Sequence, residues 1–290
     1  MVLDLLEVRV TLNPMMGTCH HRPVSTSLSP ALADAHDSNY VEFSTSYARR
    51  AGSDLTRGAS FDRAIIDLPA LPYNGVFRSN VPAADVAGVA AETLALARAR
   101  RVPVAWRVTP TTPPETTAAL EALGWHVDHQ VPVMAKELDS TTSATLSSGL
   151  TVEEVTAAAL GEWSRVVAVS FGCPEEYVEG PASYDRDVGL PGETPLRRFL
   201  LRIDGDPVAS SALLPGPSGA GLAGIFCVGT LARVRGQGFG TIITQAAMAA
   251  ARDAGARVAV LQASEMGRPI YERLGFDTVG SISVHIPPGL

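Results

Sequence analysis

From Val228 to Thr241 the chain reads Val-Gly-Thr-Leu-Ala-Arg-Val-Arg-Gly-Gln-Gly-Phe-Gly-Thr, with strand-forming residues before it and an alanine-rich helical pattern from Phe239 to Ala254. This stretch constrains the fold more than any other, because the end of a strand and the start of a helix must meet within one tight turn. Such a turn leaves backbone N–H groups at the helix N-terminus without intrahelical acceptors, and the helix dipole favours an anion there. Gly236, Gly238 and Gly240 put no side chain between that backbone and a phosphate oxygen. Arg233 and Arg235 add positive charge, and Arg268 and Arg273 are expected on the same side. The whole chain carries a formal net charge of −7. A local cationic pocket in an acidic protein fits a phosphorylated cofactor better than a nucleic-acid surface.

Residue types exclude several other designs. Of 23 basic residues one is lysine, Lys136, and it follows Ala135, so the Gly-Lys-Ser/Thr of a nucleoside-triphosphate loop is absent. A pyridoxal Schiff base would have to use the same lysine. A dinucleotide fingerprint beginning at Gly236 would need glycine where Thr241 stands, and an acidic residue at the end of the next strand, where the chain has Val258-Ala-Val260. No uninterrupted apolar run reaches the length of a membrane-spanning helix, and Asp4 and Glu7 interrupt the opening MVLDLLEVRVTL, unlike a secretory signal. Cys19, Cys173 and Cys227 are too few and too scattered for a disulfide framework or a zinc knuckle, so a reducing cytoplasm is the expected setting. The composition also allows Cys19-His20-His21 with His36 as a metal tract, but a tail is the better reading, and no metal is expected.

The 290 residues leave room for one large domain or two ordinary ones. Residues 1–39 lack periodicity and read as a flexible extension. From 40 to 138, strand-like segments at 63–68, 76–78, 104–108 and 131–138 alternate with helical ones at 81–101 and 113–123. Residues 139–149, largely DSTTSATLSSG, form the clearest linker. Beyond it come a strand at 150–155, a helix at 157–171, an irregular or short-helical passage to 195 and a hairpin about Asp204-Gly205-Asp206. A strand at 222–230, the helix at 239–254, a strand at 257–263, a helix at 268–274 and a strand at 276–286 complete the chain. This order predicts two α/β (α+β) domains with mixed sheets, at 40–138 and 150–290. Ala119-Leu-Glu-Ala-Leu-Gly-Trp125 also echoes Ile270-Tyr-Glu-Arg-Leu-Gly-Phe276, with matching neighbours on either side. Duplication explains that echo better than chance.

Arg235-x-x-Gly238-x-Gly240 after a strand, followed by Leu261-Gln-Ala-Ser264 and Ile270-Tyr-Glu-Arg-Leu-Gly-Phe276, resembles the GNAT N-acetyltransferase superfamily over nearly all of residues 150–286. The resemblance implies a mixed, mostly antiparallel sheet flanked by helices, with acetyl-CoA as co-substrate. It implies that the main chain of Arg235, Gly236, Gln237, Gly238, Phe239, Gly240 and Thr241 holds the pyrophosphate. Val228 and Thr230 would pair with the pantetheine arm and polarise the thioester carbonyl. Ser264 stands where many members carry asparagine, and Tyr271 matches the general acid. Chemistry supports the last point independently, since a phenol can protonate the thiolate expelled when an amine attacks a thioester.

The base stays open. The strand that often carries a carboxylate reads Gly224-Ile-Phe-Cys-Val228, leaving Glu265, a water chain or an already neutral amine as alternatives. Cys227 reads as a small buried hydrophobe rather than a nucleophile, and His285 as an edge-strand residue. In the first half Leu120 occupies the position of Tyr271, and SNVPAADVAGVAAET replaces the glycine turn. That half therefore resembles the degenerate partner in tandem members, with Asn74, Arg78, Trp106 and Arg107 as packing residues. The expected activity is direct acetyl transfer to a primary amine, a small molecule rather than a protein. The competing reading is a non-catalytic acyl-CoA-binding or regulatory module. No nucleic-acid or membrane partner is expected, and nothing in the sequence fixes the oligomeric state.

Overall fold

The computed structural model describes residues 28–139, 148–190 and 192–289. The first half contains α1 (Pro30–Ser46), β1 (Asp54–Arg57), β2 (Phe61–Ile65), β3 (Gly75–Ser79), α2 (Val86–Arg100), β4 (Ala105–Val108), α3 (Glu115–Ala122) and β5 (His126–Glu137). The second contains β6 (Leu150–Glu154), α4 (Leu160–Ser170), α5 (Glu179–Val188), β7 (Arg197–Ile203), β8 (Asp206–Pro215), β9 (Leu222–Thr230), α6 (Phe239–Asp253), β10 (Val258–Gln262), α7 (Arg268–Arg273) and β11 (Asp277–Ile286). Among the described residues the strands form one mixed, mostly antiparallel sheet of eleven, in the order β1-β2-β3-β4-β11-β5-β10-β9-β8-β7-β6.

The middle of that order is where the halves interlock. β11 lies between β4 and β5, and β5 lies between β11 and β10, so each half inserts its last strand into the other's sheet. β5 and β11 pair antiparallel from Asp277–Ala135 to Ile286–His126. The units α2-β4-α3-β5 and α6-β10-α7-β11 thus repeat in order around this central pair, as duplication predicts. The echoed motif repeats in its hydrogen bonds as well. Gly124 and Gly275 are left-handed, at φ 82° and 85°. The N–H groups of Trp125 and Phe276 donate to the carbonyls of Leu120 and Tyr271 at 3.0 and 2.9 Å. Glycine supplies the left-handed cap at low cost, and the aromatic that follows is carried into the core.

The extension expected over 1–39 needs correction at its end. Residues 1–27 lie outside the described residues, but Pro30–Ser46 is a helix packed against the sheet, begun by Ser29, whose hydroxyl accepts from the Leu32 N–H. Its polar residues are spent on tertiary bonds. Asn39 donates to the carbonyls of Leu214 and Pro215 at 3.0 and 3.2 Å. Asp37 accepts from His36, Thr109 and Thr111. Burial works to raise the Asp37 pKa, but these partners outweigh it and hold the carboxylate below its usual value. His36 reaches Gln262 on β10 at 2.9 Å, and Phe43 stacks on Phe226 with ring centres 4.0 Å apart. The helix therefore fastens the first half across β8, β9 and β10. His36 belongs to this knot, while Cys19, His20 and His21 lie outside the described residues, as does linker segment 140–147.

Two apolar cores occupy opposite faces of the second half. Phe239, Ile243, Ala247 and Ala251 of α6 recur at helical spacing and pack with Leu201, Leu213, Ile225 and Leu261. On the other face Trp163, Val166, Leu200, Leu214 and Phe226 pack with Val41 and Tyr47 of the first half. Asn74, Trp106 and Arg107 are buried, while Arg78 is half-buried with its Nε paired to Asp62 at 2.6 Å. Asn74 accepts from the Ile66 N–H, and Arg107 donates to the carbonyls of Asn74 and Leu71. His285 corrects another expectation: it is fully buried on β11 between Trp106 and Val127, and burial lowers its pKa.

Candidate functional site

The site is built where β9 parts from its neighbour. β9 and β10 pair in parallel at Leu222–Val258, Ala223–Ala259 and Gly224–Val260, and there the ladder stops. β10 continues alongside β5 as far as Gln262. On its other edge β9 carries a bulge. Ser210 pairs with Gly229 and Ala212 with Phe226, so Cys227 and Val228 together oppose Ser211. Cys227 takes φ 52°, a left-handed value uncommon for a residue with a side chain. Both faces stitch the bulge in place. Trp163 donates to the Ser211 carbonyl at 3.1 Å, the Ser211 hydroxyl to the Ile243 carbonyl at 3.2 Å, and the Ser210 hydroxyl to the Cys227 carbonyl at 3.0 Å. A bulge twists and bends its strand, so the half-buried segment from Cys227 to Thr230 leaves β10 and a slot opens between them.

The glycine turn closes one end of that slot. Gly236 and Gly238 have φ 79° and 85°, and a Cβ built on either would meet no atom within 4 Å. Conformation, not crowding, requires glycine here, and the space in front of the turn is open. The N–H groups of Thr241 and Ile242 turn back to the Gly238 carbonyl at 3.0 and 3.1 Å. Those of Phe239 and Gly240 begin α6 and have no intrahelical acceptor. A Cβ on Gly240 would lie 3.3 Å from Ile270 and 3.7 Å from the Thr230 hydroxyl, so the ends of β9, α6 and α7 converge. An open, glycine-lined row of donors at a helix N-terminus fits the pyrophosphate of acetyl-CoA, and the slot beside it fits an extended arm.

Not every expected residue offers what the sequence predicted. The Arg235 side chain turns back, its Nε donating to the Thr230 carbonyl and its Nη2 to the Ser170 carbonyl, both at 3.0 Å. It braces the turn against α4, and the Thr230 carbonyl is thereby occupied. Arg233 is paired with Asp206, and Arg268 with Glu272 at 2.8 Å, so the expected arginine cluster is partly neutralised. Arg273 is exposed on α7. Phe239 is buried beneath α6, leaving its main chain for the turn, while Gln237 is exposed and Thr241 half-buried. Ser264 is exposed, its hydroxyl accepting from the Gly267 N–H at 3.1 Å. It caps the entry to α7 and keeps its own proton to donate.

Tyr271 is 6% exposed, edge-on to Phe276 with ring centres 5.9 Å apart. Among the described residues burial is the one influence on its proton affinity, with no hydrogen-bonding or charged side chain acting on the hydroxyl. Burial pushes its pKa to about 12, which keeps it protonated at neutral pH. Cys227, half-buried at the bulge, has its thiol pushed well above the usual range by burial; it is no ready nucleophile. Among the described residues no cluster of His, Cys, Asp and Glu is arranged to hold a metal, and no helix is long and apolar enough to cross a membrane.

The sequence reading missed Asp185 and Tyr47, which come together beside the bulge from α5 and from the turn after α1. No local pattern links residues so far apart. A buried acid in an otherwise irregular passage was the available signal.

Residues 165–276 match the Acetyltransferase (GNAT) family. Among solved structures, a GCN5-related N-acetyltransferase from Kribbella flavida aligns at 18% identity over 87% of this chain and 96% of its own, with TM-score 0.65. A tandem GNAT protein from the clavulanic acid biosynthesis pathway aligns at 14% identity over 88% and 93%, with TM-score 0.60. A functionally unknown conserved protein from Staphylococcus epidermidis ATCC 12228 aligns at 10% identity over 83% and 96%, with TM-score 0.58. No curated protein sequence matches the chain. At these identities the likeness shows the fold, which is that of tandem GNAT proteins, and the family match within the second half supports an acetyltransferase.

Proposed function

We propose, from a GNAT domain spanning residues 165–276, that this protein transfers an acetyl group from acetyl-CoA directly to the nitrogen of a small primary amine. The cofactor and the acid belong to the second half, residues 150–290, against which the first, 40–138, packs. The observation that carries the reading is the coincidence of an open glycine turn, a bulge that parts β9 from β10, and, on the adjoining helix, a buried tyrosine on which no charged or hydrogen-bonding side chain acts among the described residues.

Bound here, acetyl-CoA supplies an activated acetyl thioester. The N–H groups from Gly236 to Gly240 hold its pyrophosphate. The main chain at Val228 aligns the thioester and steadies negative charge developing on the carbonyl oxygen, a contribution ordinarily worth several kcal/mol in comparable sites, about 3. Thr230 contributes backbone through its N–H side, because its carbonyl belongs to Arg235. The Ser264 hydroxyl donates to the pantetheine arm. Tyr271, protonated across the physiological range, gives its proton to the departing sulfur.

The alternative, a non-catalytic acyl-CoA-binding module, draws on one observation: β9 carries no carboxylate. Free thiol measured during incubation of acetyl-CoA with a panel of primary amines separates the two. Amine-dependent release supports transfer. Acetyl-CoA binding with no release above background for any amine supports the binding module.

A further inference from the structure

On the sheet face opposite α6, a cluster of buried titratable groups has no task in the steps above. Asp185 of α5, 4% exposed, lies among residues of both halves. Tyr47 comes from the turn after α1 and Tyr73 from the turn before β3, with ring centres 5.1 Å apart. Arg198 comes from β7, Ser164 from α4 and Cys227 from the β9 bulge. The Tyr47 hydroxyl lies close enough to the Asp185 carboxylate and the Cys227 thiol to pull on the proton affinity of each. It therefore joins the acid to the place where the slot opens.

The cluster is incomplete as it stands. Arg198 is 1% exposed and donates Nη1 to the Gly189 carbonyl at 2.9 Å, yet its Nε and Nη2 have no protein partner. The Ser170 hydroxyl at the end of α4, which a Cβ on Gly229 would approach to 3.0 Å, is likewise buried and unpartnered. Buried polar groups are nearly always satisfied, so the open Arg198 donors call for an oxygen acceptor, which water or an oxygen of a small polar molecule supplies.

We infer that Asp185 and Tyr47 form a proton relay serving an acceptor ammonium held beside Cys227, so that the acceptor site is shared between the halves. The inference rests on the acetyltransferase reading. Tyr47 Oη accepts a proton from the ammonium as its own proton passes to the Asp185 carboxylate. The freed nitrogen lone pair forms the C–N bond to the thioester carbonyl carbon, the C–S bond breaks, and sulfur takes the Tyr271 proton. Net, one amide, one thiol and one proton result. The proton leaves from Asp185 to solvent, while the remaining proton on nitrogen, lost as the amide forms, restores Tyr271.

The electrostatics suit that task. Burial raises Asp185 to about 6, against the pull of Ser164, Arg198, Tyr47 and Arg186. The groups facing it are Arg198 from β7, Arg186 from its own helix, Tyr47 and Tyr73 from the first half, and Cys227 from β9. Burial first and the Asp185 charge second push Tyr47, Tyr73 and Cys227 upward, so each is neutral at pH 7. The carboxylate is thus the group that ionises near neutrality, and Tyr47 passes a proton rather than keeping one. Enclosure by two halves favours a small amine over a peptide segment.

The test is the pH dependence of kcat/KM, followed by thiol release with the best amine of the panel, for wild type, Asp185→Asn and Tyr47→Phe, alongside calorimetric acetyl-CoA affinity. Wild type should lose activity on the acid side with an apparent pKa near 6. Asp185→Asn should abolish that limb and lower kcat by about 100-fold, and Tyr47→Phe by about 10- to 100-fold, within the range of a general base. Acetyl-CoA affinity should stay within twofold in both. A purely structural role would change melting temperature and leave the acid limb intact. Retention of that limb in Asp185→Asn, or an unchanged kcat in Tyr47→Phe where Asp185→Asn does not fold, overturns the relay while leaving the transferase reading standing. A wild type that binds acetyl-CoA and releases no thiol with any amine overturns both.

Discussion

α3 and α7 are the same structural object put to different ends. Each closes on a left-handed glycine, each returns an aromatic N–H to a carbonyl one turn back, and each feeds a strand that crosses into the other half's sheet. At the position one turn before the glycine, α3 carries Leu120, fully buried, and α7 carries Tyr271, a buried phenol on which no charged or hydrogen-bonding side chain acts among the described residues. The helices before them diverge in the same way. α6 begins at left-handed Gly238 behind an open glycine turn, whereas α2 begins at Asp85 after Pro82-Ala-Ala, in the right-handed region. Packing tolerates either version, so the fold is kept in both halves while the glycine turn and the tyrosine are present in one.

That contrast can be broken at its most demanding point first. Gly238→Val imposes a left-handed conformation costing about 1–2 kcal/mol and sets a branched side chain before the donor row. Acetyl-CoA affinity should fall about 100-fold, near 2.7 kcal/mol, in a calorimetric titration, while Asp85→Ala at the matching position should leave it unchanged. Tyr271→Phe should slow thiol release by about 100-fold with affinity within twofold; equal rates would remove its acid role. Leu120→Ala should cost about 2–5 kcal/mol of stability in denaturant unfolding, whereas Tyr271→Phe should cost under about 1.5. A reversal of those two costs would mean that the positions do not divide packing from chemistry. The smallest effect is expected at Arg233, already paired with Asp206. Arg233→Gln should weaken acetyl-CoA binding less than threefold, as befits an exposed ion pair worth about 1 kcal/mol or less.

Local pattern made much of this legible. The alternation from Phe61 to Ile286, the glycine turn and the Leu-Gly-aromatic echo are short-range signals, and the strands and helices fall close to where they predict. What escaped is long-range. α1 hid because His36, Asp37 and Asn39 break its apolar stripe, and their partners lie on β8, on β10 and after β4. α5 was legible only as part of an irregular or short-helical passage, because Gly180 and Pro181 are poor interior helix formers. The exchange of β5 and β11 is invisible to any window of sequence, as are the carboxylates that claim Arg233 and Arg268. The candidate site followed the same division. Gly236 and Gly238 stand out in the local turn pattern and Tyr271 through the family resemblance, while Asp185 and Tyr47 come near one another only through the packing of the first half onto the second.

The central claim, that only the second half carries a cofactor turn, meets its most direct test in the stoichiometry of acetyl-CoA binding. Calorimetric titration of wild type should give a single site per chain, and the same titration of Gly238→Val should lose it. Two sites per chain, or one site unaffected by Gly238→Val, would contradict the assignment of the cofactor to the turn before α6.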